Sequence, residues 1–314
     1  METKEVYHYC NLEVMYKIIT AGKIRVCNAL ASNDENEYNY AERWIKKNRK
    51  FIADDEIGAL NLLEDILDSV HEMMVPYVTC FSRHGNILSQ WKGYAADGTG
   101  VSIGFDIEKI KIGTRKLIKE LELSDLKRIL KHWKDGACIE IPSIFWTSVE
   151  YDEGEKDNFI RAMVNELKNA LDDKEETEKI KERMQAIILA ALIIFKDEPF
   201  KEEDEIRIVV WDSLRFKNGD NERIDEGLEK KFEVRNGKFI GYYELDIKNS
   251  ITKIILGPKC TIDKNVDYVP YDEKNYLLRK DDSKNFLSEF QDFLLSEGYN
   301  LNNLILLRSE IPYR

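Results

Sequence analysis

An α+β fold with a mixed, largely antiparallel, split sheet is what this sequence predicts, and three observations predict it. β-type runs recur from residue 5 to residue 307, with helical patterns between them. Asn236-Gly237 sits between two such runs, the strongest short-range hairpin signal a sequence carries. The two clearest helical patterns, 158–171 and 177–195, adjoin through a charged connector and so enter as a helical-hairpin insertion at about 155–195. No repeat or low-complexity linker divides the 314 residues, and a single domain over 1–314 with covering helices is expected.

The elements follow in order. Residues 5–10 alternate as a strand, Asn11 is placed to cap a helix over 12–21, and Gly22 ends it as a left-handed C′ residue. That helix presents Leu12, Met15, Tyr16 and Ile19 on one face, and the chain returns as a strand over 23–29. A polar turn over 31–37 leads to amphipathic helices at 38–50 and 56–74. Residues 77–82 and 101–105 are β-branched and aromatic strands. Between them Ile87, Leu88, Trp91 and Tyr94 recur at helical spacing, so a short helix carries the aromatics into a D-G-T-G turn. A helix with a basic face is expected within 113–135, and a strand over 139–151 with Pro142 at an edge or turn. Further strands fall at 204–211, 250–256 and 304–307, with a helix at 282–297 closed by Gly298.

The bulk figures exclude several classes. A hydrophobic content of 43% and a charged content of 34% describe an ordinary globular chain. A net charge of −12 argues against wrapping nucleic acid by phosphate neutralisation. The longest apolar run, 186–195, is about half of what a bilayer requires, and no leader pattern precedes the first strand, so no membrane partner is expected. Five cysteines without a C-x-x-C support neither a disulfide framework nor a zinc site, and Cys10, Cys27 and Cys80 in strand-like segments suggest buried thiols in a reducing cytoplasm.

Two stretches carry groups suited to chemistry. In the first, Ser82, Trp91 and Tyr94 form either a packing helix and turn or the wall of a ligand site. In the second, Glu203, Glu205 and Arg207 alternate on one face of a strand, so they are either solvated or line a polar cleft. Arg207 keeps Glu205 ionised, and an ionised carboxylate stabilises a developing sugar cation. His8, between two tyrosines, points to the face opposite theirs and is either a hydrogen-bonded structural group or a functional one. Asn33 and Asp34 either cap the helix that follows or hold ligand. Asp34, Glu37, Glu203 and Glu205 also offer an oxygen-rich Mg²⁺ cluster, the basis of a metal-dependent nuclease or phosphodiesterase alternative, although no spacing signature supports it.

Six ordered motifs resemble a bacterial family known as domain of unknown function 2971. They are Y-H-Y with its helix and A-G-K-I, S-N-D-E-N-E-Y, C-F-S-R-H-G-N-I-L-S-Q-W-K-G-Y-A-A-D-G-T-G-V-S-I-G-F-D, I-F-K-D-E-P-F-K-E-E-D-E-I-R-I-V, I-I-L-G-P-K and S-E-I-P-Y-R. The order of strands and motifs is also similar, at the level of fold, to ADP-ribosyltransferases. That resemblance implies NAD as substrate, His8 holding a ribose, and Glu205 stabilising the ribosyl cation with Glu203 assisting. Tyr94, Trp91, Ser82, Arg207, Asn33 and Asp34 then form the nucleotide-binding set, with a middle motif that Ser82, Trp91 or Tyr94 each fill. It further implies a protein or nucleic-acid acceptor, or water, and a role in defence or as a toxin. The geometric expectation is that His8 and Glu205 face each other across one cavity. A non-enzymatic ligand-sensing or interaction module is the third alternative.

Overall fold

In a computed structural model, the structure describes residues 4–29, 40–51, 53–112, 116–131, 144–171, 174–213, 228–235, 237–262, 269–272, 275–277 and 286–313. The chain opens with β1 (Glu5–Cys10), α1 (Leu12–Ala21), β2 (Lys23–Asn28), α2 (Tyr40–Asn48), α3 (Ile57–Met73), β3 (Met74–Ser82), α4 (Leu88–Tyr94) and β4 (Val101–Asp106). Three short strands follow, β5 (Lys111–Ile112), β6 (Lys116–Leu117) and β7 (Lys119–Glu120), then α5 (Leu123–Lys131) and β8 (Ile144–Ser148). The helical hairpin is α6 (Glu153–Ala170) and α7 (Lys174–Ile194), and β9 (Glu205–Ser213) comes after it. The last part holds β10 (Lys231–Arg235), β11 (Lys238–Asp246), β12 (Ile251–Leu256), β13 (Val269–Pro270), β14 (Asn275–Leu277), α8 (Phe286–Ser296) and β15 (Ile305–Ser309).

The α+β expectation holds, and the sheet is mixed: β12–β15 and β7–β8 run parallel while the other described pairs are antiparallel. Its split lies at β3. One edge of β3 pairs with β9 along its whole length, from Met74↔Ser213 to Ser82↔Glu205. The other edge meets β2 through Cys27↔Val78 and β1 through Tyr7↔Ser82, so β1 and β2 diverge from a common strand. From β1 the sheet continues through β4 and β12, and from β2 through β11.

Local chemistry explains the first unit. Asn11 accepts from the Val14 N–H, and Gly22 closes α1 at φ 61°, a conformation that costs a residue without a β-carbon little. The buried face of α1 is Met15, Ile18 and Ile19; Tyr16, expected there, is exposed and stacks on Phe293 instead. The helix expected within 113–135 is shorter, because residues 116–120 are drawn into ladders with β5 and β8. A local hairpin with β5 and a more distant pairing with β8 override the helical period there.

Each face of the sheet has its own cover. On one, Val78, Phe145, Val209 and Trp211 meet α3, α5, α6 and α7, so the hairpin is built into the core. On the same face, β1 and β12 are covered by α4, through Tyr7, Tyr9, Trp91, Ala95 and Ile255. On the opposite face, Phe81, Phe105, Ile206 and Ile208 join α1 and α8.

The turn after α4 is fixed by close backbone approach. Gly98 has φ 82°, and Gly257 N–H donates to the Gly100 carbonyl at 2.9 Å. A β-carbon on Gly100 would sit 2.2 Å from the Cys10 carbonyl oxygen and 3.0 Å from that of Ala95. Gly100→Ala is therefore expected to cost about 1–3 kcal/mol by urea denaturation, since backbone on both sides must shift.

Candidate functional site

The site is built around four charges. Glu205 opens β9, is 5% exposed, and has every oxygen engaged: Oε1 accepts from Arg207 Nε at 2.8 Å, and Oε2 from Arg207 at 3.0 Å and Lys196 Nζ at 2.8 Å. Cys80, opposite Arg207 on β3, adds a thiol hydrogen bond to the same carboxylate. The Glu205 N–H donates to the Tyr151 hydroxyl at 3.1 Å. Burial alone would raise this carboxyl, but the Arg207 and Lys196 charges outweigh it and hold the group at about 2. Arg207 is fully buried and also donates to the Ile193 carbonyl at 2.6 Å, tying β9 to the end of α7.

Lys196 is the hub. It lies two residues past the end of α7 and bridges Glu203 Oε2 at 2.6 Å and Glu205 Oε2 at 2.8 Å, at 7% exposure. Its own carbonyl accepts from Lys156, which is fully buried and also bonds Glu153. Two cations and two carboxylates in mutual contact satisfy one another, which is the condition for keeping such a cluster inside a protein.

Glu203 reaches the cluster differently from the expectation. It lies in a 3-10 segment, Glu198–Glu203, and not on the strand face shared by Glu205 and Arg207. Asp204 then turns the chain at φ 41°, an unusual conformation for a residue with a β-carbon, and so brings Glu203 beside Lys196. The Asp204 carboxylate is held by His84 Nε2 at 2.9 Å.

Two aromatic residues stand over this group. Tyr94, at the end of α4, is 54% exposed and its hydroxyl donates to Glu203 Oε1 at 3.3 Å. Its phenol is pushed up by partial burial and then by the Glu203 charge, so it remains a donor. Phe200 is 40% exposed, with its ring centre 5.0 Å from Lys196 Nζ. Cys80 is exposed although it lies inside a strand paired on β9, so the sheet face is open to solvent at this point. The expectation of a buried thiol holds for Cys10 and fails for Cys80.

The sequence-predicted residues divide accordingly. Glu203, Glu205, Arg207 and Tyr94 are brought together. Trp91 is not a ligand wall: it is fully buried, donates to Asn86 at 2.7 Å and meets Tyr9 edge-on at 4.9 Å between ring centres. Ser82 is buried and accepts from the His84 N–H, closing a turn. Asn33, Asp34 and Glu37 lie outside the described residues.

His8 does not face Glu205. Directly opposed residues of antiparallel strands share a side, so Tyr7↔Ser82 and Ser82↔Glu205 put Tyr7, Ser82 and Glu205 on one face. His8, next to Tyr7, therefore projects from the other face. There it bonds the Cys80 carbonyl through Nδ1 at 3.0 Å and meets Phe81 edge-on, and burial lowers its basicity. The expected single cavity between imidazole and acid is not formed.

Sequence reasoning passed over Lys196, Phe200 and Cys80. A lysine placed at once after the apolar run 186–195 was the available signal for the first, because a charge there is carried inward with the helix end.

Among the described residues no group of three or more His, Cys, Asp or Glu side chains is arranged to hold a metal ion, and no helix is long and apolar enough to cross a membrane. The fold and site define an α+β protein with a split sheet and a buried ion cluster beside exposed aromatics. Residues 90–208 match the model of a family described as a protein of unknown function (DUF2971), and over that stretch the family resemblance drawn from the motifs holds. The matched stretch contains Tyr94, Lys196, Phe200, Glu203, Glu205 and Arg207. No curated protein and no solved structure matches the chain.

Proposed function

We propose that this chain binds NAD, or a nucleotide like it, on the open face beside Tyr94 and Phe200, and cleaves the nicotinamide–ribose bond there. The observation that carries this reading is the carboxylate of Glu203, set between the Tyr94 hydroxyl and Lys196 under two exposed aromatic rings. Exposed rings offer stacking surfaces to a planar base or a nicotinamide. As nicotinamide departs with the electron pair of the glycosidic bond, the ribose becomes oxocarbenium-like and a fixed negative charge stabilises it. Water, or an acceptor side chain, then adds at that carbon and loses its proton.

The roles differ from those implied by the ADP-ribosyltransferase resemblance. Glu203, at 14% side-chain exposure, is the carboxylate nearer the opening, and Glu205 at 5% is spent on Arg207 and Lys196. Glu205 and Arg207 are positioning residues that fix Lys196, and His8 takes no part. The metal-dependent alternative loses ground, because Lys196 and Arg207 already neutralise the two described acids on which it was built.

A thermal-shift titration tests the binding step. NAD at a hundred times its Kd should stabilise the chain by about 2.7 kcal/mol. Tyr94→Ala should weaken binding by roughly ten- to a hundredfold, the value of one base–aromatic stack of about 1–3 kcal/mol. No shift at millimolar NAD, or an unchanged affinity in Tyr94→Ala, contradicts the proposal. Stabilisation without release of nicotinamide would instead favour the ligand-sensing alternative.

A further inference from the structure

The hairpin of β10 and β11 lies far in sequence from the ion cluster and carries a different signal. Cross-strand register places Phe232 opposite Gly241 and Val234 opposite Phe239, so Phe232, Val234 and Phe239 share one face. All three are open to solvent, at 62%, 64% and 83%. Among the described residues β10 pairs only with β11, which leaves it an edge strand of the sheet. Edge strands are commonly blunted by proline, a bulge or charged side chains, lysine above all. The run Lys231-Phe-Glu-Val-Arg235 carries such charges on one face, Lys231, Glu233 and Arg235, while its other face has neither proline nor charge.

We infer that β10 is a homodimer interface, in which two copies join edge to edge by antiparallel β10–β10 pairing about a two-fold axis at Phe232. A two-fold axis perpendicular to the sheet keeps each side chain on its own face, so the pattern along one strand decides which registers are compatible. With the axis at Phe232, Lys231 lies opposite the partner's Glu233, and Glu229 lies opposite the partner's Arg235. Each pairing occurs twice by symmetry, so every charge on the polar face gains an opposite charge across the axis beside the intrachain pairs Lys231–Glu244, Arg25–Glu233 and Arg235–Glu233. Moving the axis to Glu233 sets that residue against itself and Lys231 against the partner's Arg235. Moving it to Lys231 sets Glu229 against the partner's Glu233. An axis at Val234 pairs the strand with the hairpin turn and shortens the ladder. The sequence of this edge is thus self-complementary in one full-length register.

On the other face the same register lays Phe232 against the partner's Phe232, with Val234 and Lys230 opposed on either side. Lys230 already lies over the Phe232 ring, with Nζ 5.8 Å from its centre. The apolar stripes of the two hairpins become continuous, and water is removed where the two Phe232 side chains meet. Main-chain pairing supplies affinity and the charge pattern supplies register, as in strand-addition interfaces generally.

Light scattering coupled to size-exclusion chromatography on the full chain tests this. The wild type is expected to be a dimer at micromolar concentration. Lys231→Glu sets like charges against each other on both sides of the axis, besides losing the Lys231–Glu244 pair within the chain, and should weaken the dimer by roughly tenfold or more. Combining it with Glu233→Lys restores opposite signs across the axis and should recover the dimer. Phe232→Glu, at an exposed position where folding is indifferent, places two carboxylates on the axis and should give monomer with an unchanged circular dichroism spectrum. A wild type that is monomeric at 100 μM, or dimers that survive both Lys231→Glu and Phe232→Glu, would overturn the proposal, whatever else the hairpin is found to bind.

Discussion

Arg207→Met is expected to lower the unfolding free energy by about 3–5 kcal/mol, measured by urea denaturation at neutral pH. The guanidinium makes two bonds to Glu205 and one to the Ile193 carbonyl, all away from solvent. Its loss strands a buried carboxylate whose remaining cation, Lys196, is shared with Glu203. An uncompensated buried charge costs more than the pair contributes, so the second change Glu205→Gln should return part of the lost stability. The same cluster has a pH signature. The Glu205 carboxyl is held at about 2 against an ordinary 4.5, so its contribution is fully present above about pH 4.5 and is lost as pH falls towards 2. In Arg207→Met the carboxyl is less depressed, so that acid-side loss should shrink. A variant with wild-type stability and an unchanged acid limb would show that the cluster does not hold β9 to α7.

The second large effect concerns chemistry. Glu203→Gln should slow nicotinamide release from NAD by on the order of a hundredfold or more, with the denaturation midpoint close to wild type. The substitution keeps size and hydrogen bonding and removes only the charge offered to the sugar cation. Glu205→Gln should read differently, because it releases Arg207 and Lys196 from their common anchor: stability falls, and activity falls with it. High-performance liquid chromatography of released nicotinamide, set beside melting curves of both variants, separates the two. The opposite pattern, a silent Glu203→Gln beside a stable but inactive Glu205→Gln, would return the catalytic role to the residue on the strand.

What the sequence makes legible is what local rules decide. Asn11 and Gly22 bound α1 where capping chemistry places them, and Gly237 sits in the β10–β11 turn at φ 75° as the hairpin signal requires. The alternation of Glu205, Ile206, Arg207 and Ile208 separates the polar and apolar faces of β9 correctly. The site is less legible because sidedness between strands depends on register, which three segments far apart in the chain, around Tyr7, Ser82 and Glu205, settle together. One step along β1 moves a side chain to the other face, and His8 is one step from Tyr7. Trp91 misleads for another reason: an aromatic in a glycine-rich loop suits a ligand wall and a core plug equally, and only its contact with Tyr9 decides. Lys196 is hidden because its partners come from the far side of a 3-10 turn that ends in a left-handed aspartate.

Hydrogen exchange with and without NAD, read by mass spectrometry, locates the ligand directly. The account predicts slower exchange in α4 and its following turn, over residues 88–100, and in residues 196–205, with β1 around His8 unchanged. Protection on the His8 face of the sheet instead, or none in these two segments at saturating NAD, would contradict it.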